Sequence, residues 1–322
     1  MKRIALGLLA LVALPFAPAV AQATYPERPI RLIVPFPAGA SSDVVSRILV
    51  QKLGTRLGQQ IVVENRPGAS GAIGVDIAAK SAPDGYTIGL VTGSTHAVSP
   101  ALGNVLPYNP VKDFKPIGMI GAAPYVLVVW PGLPAKTIPE LVALAKSKPG
   151  TLNYGSAGIA SLAHLGTAQF ASQTGINITH VPYKSSSQSL IDMVTGRLEM
   201  QFATIAPVLQ NVRSGQLRAL ATTGRKRVAA LSDIPTMIES GVPDYEVSLW
   251  MAFMLPAATP DAIAAKLNAE LTAVLSDPET QEAMRKQGFE AEPGAPQAVM
   301  TRIESETAKW RALVAKTGIK TK

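Results

Sequence analysis

Cysteine is missing from all 322 residues. No disulfide, thiolate metal site, iron–sulfur cluster or cysteine nucleophile is therefore available. Histidine is scarce: His96, His164 and His180 are the three, and none sits in an HExxH pattern, which removes the usual zinc-hydrolase motif. No GxSxG elbow occurs, and no pair of carboxylates is spaced for general acid–base work. The Walker lysine pattern is missing as well. The glycine-rich run Gly68-Ala69-Ser70-Gly71-Ala72-Ile73-Gly74 is spaced GxxGxxG rather than GxGxxG and follows an Asn-Arg-Pro turn, so it reads as a turn and a tightly packed helix start. These absences argue against a nucleotide enzyme, a metallohydrolase and an α/β hydrolase, and no cofactor or metal is implied.

Long apolar runs are lacking except at the start. Lys2 and Arg3 precede the unbroken run Ile4–Leu14, then Pro15, Pro18 and the small-x-small end Ala21-Gln22-Ala23. The run is too short and too proline-broken to cross a bilayer, so residues 1–23 read as a secretory leader cleaved after Ala23. The expected location is then periplasmic, outside the cytoplasm. Of 30 basic residues, Lys2 and Arg3 would leave with the leader, so 28 would face 22 acidic ones at a net charge of +6. The basic residues are scattered apart from Arg225-Lys226-Arg227 and a Lys-rich tail from Lys309, with no aromatic-interleaved stripe. That pattern is a solvated surface and argues against nucleic acid.

What is present is an ordinary apolar fraction, 47%, in a length that suits two domains. Strand-like and helix-like segments alternate, which argues α/β. Ile30–Phe36 is a β-branched strand, Val44, Ile48, Leu49 and Leu53 have helical spacing, and Ile61–Glu64, a helix over Gly71–Ala79 and the strand Tyr86–Thr92 complete a β-α-β-α-β start. A strand over Ala122–Val129 opens a second unit. A helix from Thr137 through Lys148, the strand Leu152–Tyr154 and a helix over Leu162–Gln173 follow, and Ile178–Val181, Leu190–Val194, Met200–Ala203 and Leu217–Thr222 continue the alternation. After the strand Trp250–Leu255 the C-terminus is helical, with Thr259 expected as a cap, Pro260 at the first helical position, and Asp277-Pro278 opening a short helix. The pattern predicts two doubly wound α/β lobes facing a cleft: 24–124 plus 247–322 as lobe 1 and 125–246 as lobe 2.

Two small-residue loops carry the chemistry. Pro37–Asp43 and Gly155–Ser161 each follow a strand and open a helix. A helix N-terminus offers unpaired N–H groups and a partial positive charge, and Ser41, Ser42, Ser156 and Ser161 add hydroxyls, which suits an anion. In open α/β sheets such loops lie at the carboxyl ends of strands, where ligands settle. A plain helix start capped by Ser42 or Asp43 would look the same in the sequence. Gly39 and Gly158 are expected to present backbone N–H groups to the anion. His164, three residues after Ser161, and His96, in Gly93-Ser94-Thr95-His96, are candidates for the cleft wall.

Five further runs are distinctive: Tyr25-Pro26-Glu27-Arg28-Pro29-Ile30 with Pro35-Phe36-Pro37-Ala38-Gly39; Val63-Glu64-Asn65-Arg66-Pro67-Gly68; Ala82-Pro83-Asp84-Gly85-Tyr86-Thr87; Leu152-Asn153-Tyr154-Gly155-Ser156-Ala157-Gly158; and His180-Val181-Pro182-Tyr183-Lys184. With Leu217-Arg218-Ala219-Leu220-Ala221 and Asp233-Ile234-Pro235-Thr236, in this order, the chain closely resembles the Bug family, the solute-binding proteins of tripartite tricarboxylate transporters. The resemblance implies a monomeric, two-lobed, type II (Venus-flytrap) periplasmic binding protein that is not an enzyme, closes on a small-molecule carboxylate and partners a membrane permease. It implies ligand contacts at Phe36, Ala38, Gly39, Ala40, Ser41 and Ser42 in one loop, and at Ser156, Ala157, Gly158, Ala160, Ser161 and His164 in the other. Ser94, Thr95, His96, Ala203, Thr204 and Trp250 would line the rest. The chain departs from the family pattern at Ala40, Ser185 and Ala203, where the family often has Gly, Gly and Asp. A ligand carrier for a sensor system and a secreted hydrolase are the alternatives.

Overall fold

The computed structural model describes residues 25–319, so the leader expected over residues 1–23 lies outside the described residues. Near the N-terminus the chain builds β1 (Ile30–Val34), α1 (Ser41–Leu57), β2 (Ile61–Asn65), α2 (Ala72–Ala79) and β3 (Thr87–Thr92). β1 is a β-branched strand with four of its five residues buried, and α1 stops where Gly58 takes the left-handed conformation and returns its N–H to Gly54. A π-helical turn, Ser94–Val98, and the short α3 (Ser99–Ala101) follow. β4 then runs for 16 residues, Phe114–Val129.

The sequence pattern shows only the second half of β4. Pro116, Gly118 and Gly121 hide the first half, because register shifts at Pro116/Gly118 and Met119/Gly121 break the alternation. At Gly121 a Cβ would run into the Glu290 carbonyl, so only glycine fits the close approach of the chain there.

The second unit contains α4 (Ile138–Ser147), β5 (Asn153–Ser156), α5 (Leu162–Thr174), β6 (Thr179–Pro182), α6 (Ser186–Val194), β7 (Met200–Thr204), α7 (Ile205–Arg213) and β8 (Arg218–Thr222). β9 (Ser248–Pro256), α8 (Asp261–Ser276), α9 (Pro278–Lys286), β10 (Glu290–Ala291) and α10 (Gln297–Thr317) close the chain. Asp277 caps α9 as expected, its carboxylate accepting from the Thr280 N–H at 3.1 Å. Thr259 does not cap α8: its hydroxyl donates back to the Pro256 carbonyl at 2.7 Å, and Pro260 stands one position outside the helix.

The strands form one hydrogen-bonded network in the order β2-β1-β3-β9-β4-β7-β5-β6, with β8 and β10 also on β4. β4 belongs to both halves of it. Residues Phe114–Pro124 pair antiparallel with β9, and from Tyr125 onward the strand pairs with β7 and β8. One long strand thus carries the chain from the first sheet to the second, and β9 returns it at Ser248.

Apolar cores lie on both sides of this frame. Leu32, Leu49, Leu53, Phe253, Leu267 and Leu271 pack β1, β9, α1 and α8 together. Trp310 of α10 is fully buried beside the π-helical turn, its indole N–H donating to Glu306. Val126, Met193, Ile205 and Val208 fill the space under α6 and α7. No described helix is long and apolar enough to cross a membrane.

Candidate functional site

A cavity of about 600 Å³ opens between the two sheet halves, a volume usual for a small-molecule site. Its first wall is the turn after β1. Gly39 holds φ at +79°, and its N–H donates to Asp43 at 2.9 Å. Asp43 also accepts from Asn65 at 2.9 Å and pairs with Arg47 at 3.0 Å, its side chain buried behind the loop. Burial alone would raise its carboxyl; Arg47, the Gly39 N–H and Asn65 outweigh burial and hold it below the usual range. Asp43 is therefore an internal strut that stiffens the loop, and the Gly39 N–H is spent on it rather than offered to a ligand. The free donors lie one step on. Ala40 is the N-cap of α1 and supplies no side-chain bond, so the first N–H groups of that helix, from Ser41 and Ser42, have no partner within it.

The facing wall is the turn after β5. Gly158 holds φ at +105°, and its N–H goes to the Ser156 hydroxyl at 3.1 Å. Ser156 is wholly buried, also touching the Gly158 carbonyl at 3.0 Å and His180 Nε2 at 2.7 Å. A hydroxyl has one proton: it satisfies all three contacts only by accepting from Gly158 N–H and from His180 Nε2–H while donating to the Gly158 carbonyl. His180 then carries its proton on Nε2. Its ring stacks on His164 at 4.0 Å and on Tyr154 at 4.9 Å. Burial pushes His164 down to about 3 with help from the neighbouring His180, and burial pushes His180 down to about 4, so the pair is neutral at pH 7.

Helix starts ring the cavity. Besides α1, the N-termini of α5 at Ser161, α6 at Ser185 and α7 at Thr204 line it, each contributing positive dipole and backbone donors. Ser161 caps α5 by accepting from His164 N–H at 3.2 Å, and Ser185 caps α6 by accepting from Gln188 N–H at 3.3 Å. Besides a contact at the rim, two bonds span the walls: Ser41 Oγ donates to Thr204 Oγ1 at 3.0 Å, and the Leu162 N–H donates to Ser94 Oγ at 3.1 Å. Phe36, Tyr125, Leu162, Leu190 and Leu249 give the cavity apolar surface. Among the described residues on its wall, Lys184 is the single charged one, and no carboxylate is present.

Of the residues expected at the site, the structure places Phe36, Ala38, Gly39, Ala40, Ser41 and Ser42 on the cavity. Ser94, Ala157, Gly158, Ser161, Ala203 and Thr204 are there as well. Six are elsewhere. Thr95 bonds the Thr92 backbone at 3.0 Å, and His96 is sealed between Tyr108 and Phe114, its ring pushed down to about 3 by burial. Ser156 and His164 form the layer behind the loop described above, and Ala160 turns its backbone at φ +67° into the core. Trp250 is fully buried, its ring close to Gly93 and away from the wall. His164 is legible as part of a helix and the other five as loop or strand ends, but the side-chain direction depends on the π-helical turn and the second-sheet stacking.

Sequence reading missed the Pro67–Gly71 turn, Tyr125, the segment Tyr183–Gln188 and Gln201, all on the wall. The glycine-rich run does start a tightly packed helix, with Gly74 against Pro35 as the spacing suggests, and its turn also reaches the cavity. Ser185, a departure from the family pattern, was a signal for α6 that helical periodicity alone did not carry.

Residues 45–319 match the family described as tripartite tricarboxylate transporter family receptor. Protein BugT of Bordetella pertussis is 39% identical over 300 residues, 93% of this chain and 92% of its own. Among solved structures, R. palustris Rpa4515 with adipate is 34% identical with a TM-score of 0.88, over 92% of this chain and 99% of that one. The periplasmic binding protein BugD is 32% identical with a TM-score of 0.83 over the same shares. The chain belongs to the tripartite tricarboxylate transporter receptor family, with the two-lobed α/β fold of its periplasmic binding proteins.

Proposed function

We propose that the protein is an extracytoplasmic solute-binding protein that captures an aliphatic or aromatic mono- or dicarboxylate and presents it to the membrane permease of a tripartite tricarboxylate transporter. The observation that carries this reading is the cavity itself: four helix N-termini converge on a wall that holds no carboxylate. Such a wall stabilises an anion through N–H donors and dipoles. The adipate held by the similar Rpa4515 structure supports the same ligand class. Lobe 1 is 24–124 plus 247–322 and lobe 2 is 125–246, supported by the change of partner in β4 at Pro124/Tyr125. The leader 1–23 directs export and is cleaved after Ala23, and the mature protein works as a periplasmic monomer without cofactor. Catalysis is not part of this reading, because the Ser156 hydroxyl beside His180 is buried and fully committed to its three contacts.

Ala203 narrows the ligand. It lines the cavity at the end of β7, where an aspartate would give an ammonium group its partner. Without one, an amino acid would bury an unpaired cation at a cost of several kcal/mol. A thermal-shift panel of adipate, malate, benzoate, terephthalate, glutamate and leucine tests this. The largest rise in Tm is expected from an acid without an ammonium group; a largest shift from glutamate or leucine overturns the ligand class.

A further inference from the structure

The rim of the cavity is closed by two turns, each with left-handed residues, that meet tip to tip. On the first-sheet side, Gly71 N–H bonds the Gly68 carbonyl at 2.9 Å across Ala69 and Ser70, whose φ angles are +47° and +53°. On the second-sheet side, Ser161 N–H bonds the Gly158 carbonyl at 3.2 Å across Ile159 and Ala160, with Ala160 at φ +67°. Turns of this hand normally place glycine or asparagine at their central positions, and here alanine and serine hold them against steric cost. Strain of this kind persists where the surroundings fix it, and it collects at switch and binding regions. One hydrogen bond joins the two tips: Ser70 Oγ donates to the Ile159 carbonyl at 2.8 Å. A Cβ on Gly158 would stand 3.8 Å from the same hydroxyl, so the two tips are in van der Waals range.

We infer that Ser70 is a positioning residue that latches the two lobes at the rim and sets the population of the closed form. Its left-handed backbone aims the hydroxyl across the cleft. Its partner is a backbone carbonyl, which offers an anion no donor. The Ser41–Thr204 bond is different, because both of its hydroxyls face the cavity and are donors a carboxylate would compete for. Ser70 itself lines the cavity, so its bond is read in the ligand-free protein, where no anion competes for the hydroxyl. This goes beyond the carboxylate reading and does not depend on which ligand the cavity takes.

The absence of cysteine makes the test clean. Lys80→Cys and Lys146→Cys place one spin label on the first-sheet side and one on the second, both at exposed positions. Pulsed dipolar spectroscopy on the ligand-free protein then reads the distance between lobes. Ser70→Ala is expected to lower the ratio of short to long distances about three- to tenfold, the range of one exposed hydrogen bond. Ser70→Asn, which tolerates the left-handed turn and keeps a donor, is expected to restore most of the short-distance population. A distribution unchanged by Ser70→Ala overturns the inference. An equal loss in Ser70→Ala and Ser70→Asn also overturns it, since the turn rather than the hydrogen bond would then be responsible. Thermal melts of each variant confirm that the fold is retained. No ligand enters the measurement, so failure here leaves the carboxylate reading standing, and a failed ligand panel leaves this one standing.

Discussion

Gly158 combines two demands that few residues meet. Its φ of +105° disfavours any side chain, and a Cβ there would already touch the Tyr183 carbonyl at 3.4 Å, beside the segment that leads into α6, leaving little room for a larger group. Its N–H and carbonyl are both tied to Ser156, so distortion at Gly158 passes to the whole turn on that wall. Gly158→Val is therefore expected to lower the affinity for the carboxylate that the thermal panel selects by at least ~10-fold, roughly 1.4 kcal/mol or more. The melt should stay cooperative, because Gly158 itself places no side chain in the apolar cores. Isothermal calorimetry checks it, and unchanged affinity would refute the role given to this turn.

Among the elements, the crossing of β4 and the return into β9 depend on one hydroxyl. Thr223 is fully buried and accepts from the Tyr125 N–H at 2.7 Å while donating to the Val247 carbonyl at 2.5 Å. Its backbone joins the same strands, N–H to Tyr125 at 2.9 Å and carbonyl to Val247 at 3.2 Å. The side chain thus staples the outgoing and returning strands where the sheet changes partners. Thr223→Val keeps the shape and leaves a buried Tyr125 N–H without its partner, which costs about 1–3 kcal/mol. Urea unfolding should show that loss in the midpoint with an unchanged slope; a midpoint equal to the parent protein would remove the staple from the account.

Taken as a whole molecule, stability should depend on pH through the three histidines. His96 and His164 are held near 3 and His180 near 4, all below the ordinary 6.5. Folded pKa values below unfolded ones mean that the unfolded chain binds protons first as the solution is acidified. The stabilisation is fully present above pH 6.5 and is lost as pH falls from there toward 4 for His180 and toward 3 for His96 and His164. Glu292, whose carboxyl burial pushes up, works in the opposite sense as one group against three. Scanning calorimetry should show a nearly flat Tm between pH 7 and 8 and a clear fall by pH 5. An equal Tm at pH 7 and pH 5 would contradict the neutral state of these rings.

The sequence by itself determined the α/β alternation, the cysteine-free chemistry and the two small-residue loops, because hydrophobic period, residue absence and turn composition are local properties. It placed β1, α5 and β7 within a residue or two, and it named the loop residues from Phe36 to Ser42 that reach the cavity. Tertiary structure decided the rest. The first half of β4 exists because β9 and β10 pair with a stretch whose proline and glycines carry no strand signal. The glycine-rich turn at Gly68–Gly71 faces the cavity because the second lobe closes against it, a contact 89 residues away in sequence at Ser70 and Ile159. His96 and Trp250 turn into the core for the same reason that Lys184 reaches the wall. Side-chain direction at the end of a strand is set by which element packs behind it, and that element is distant in the chain.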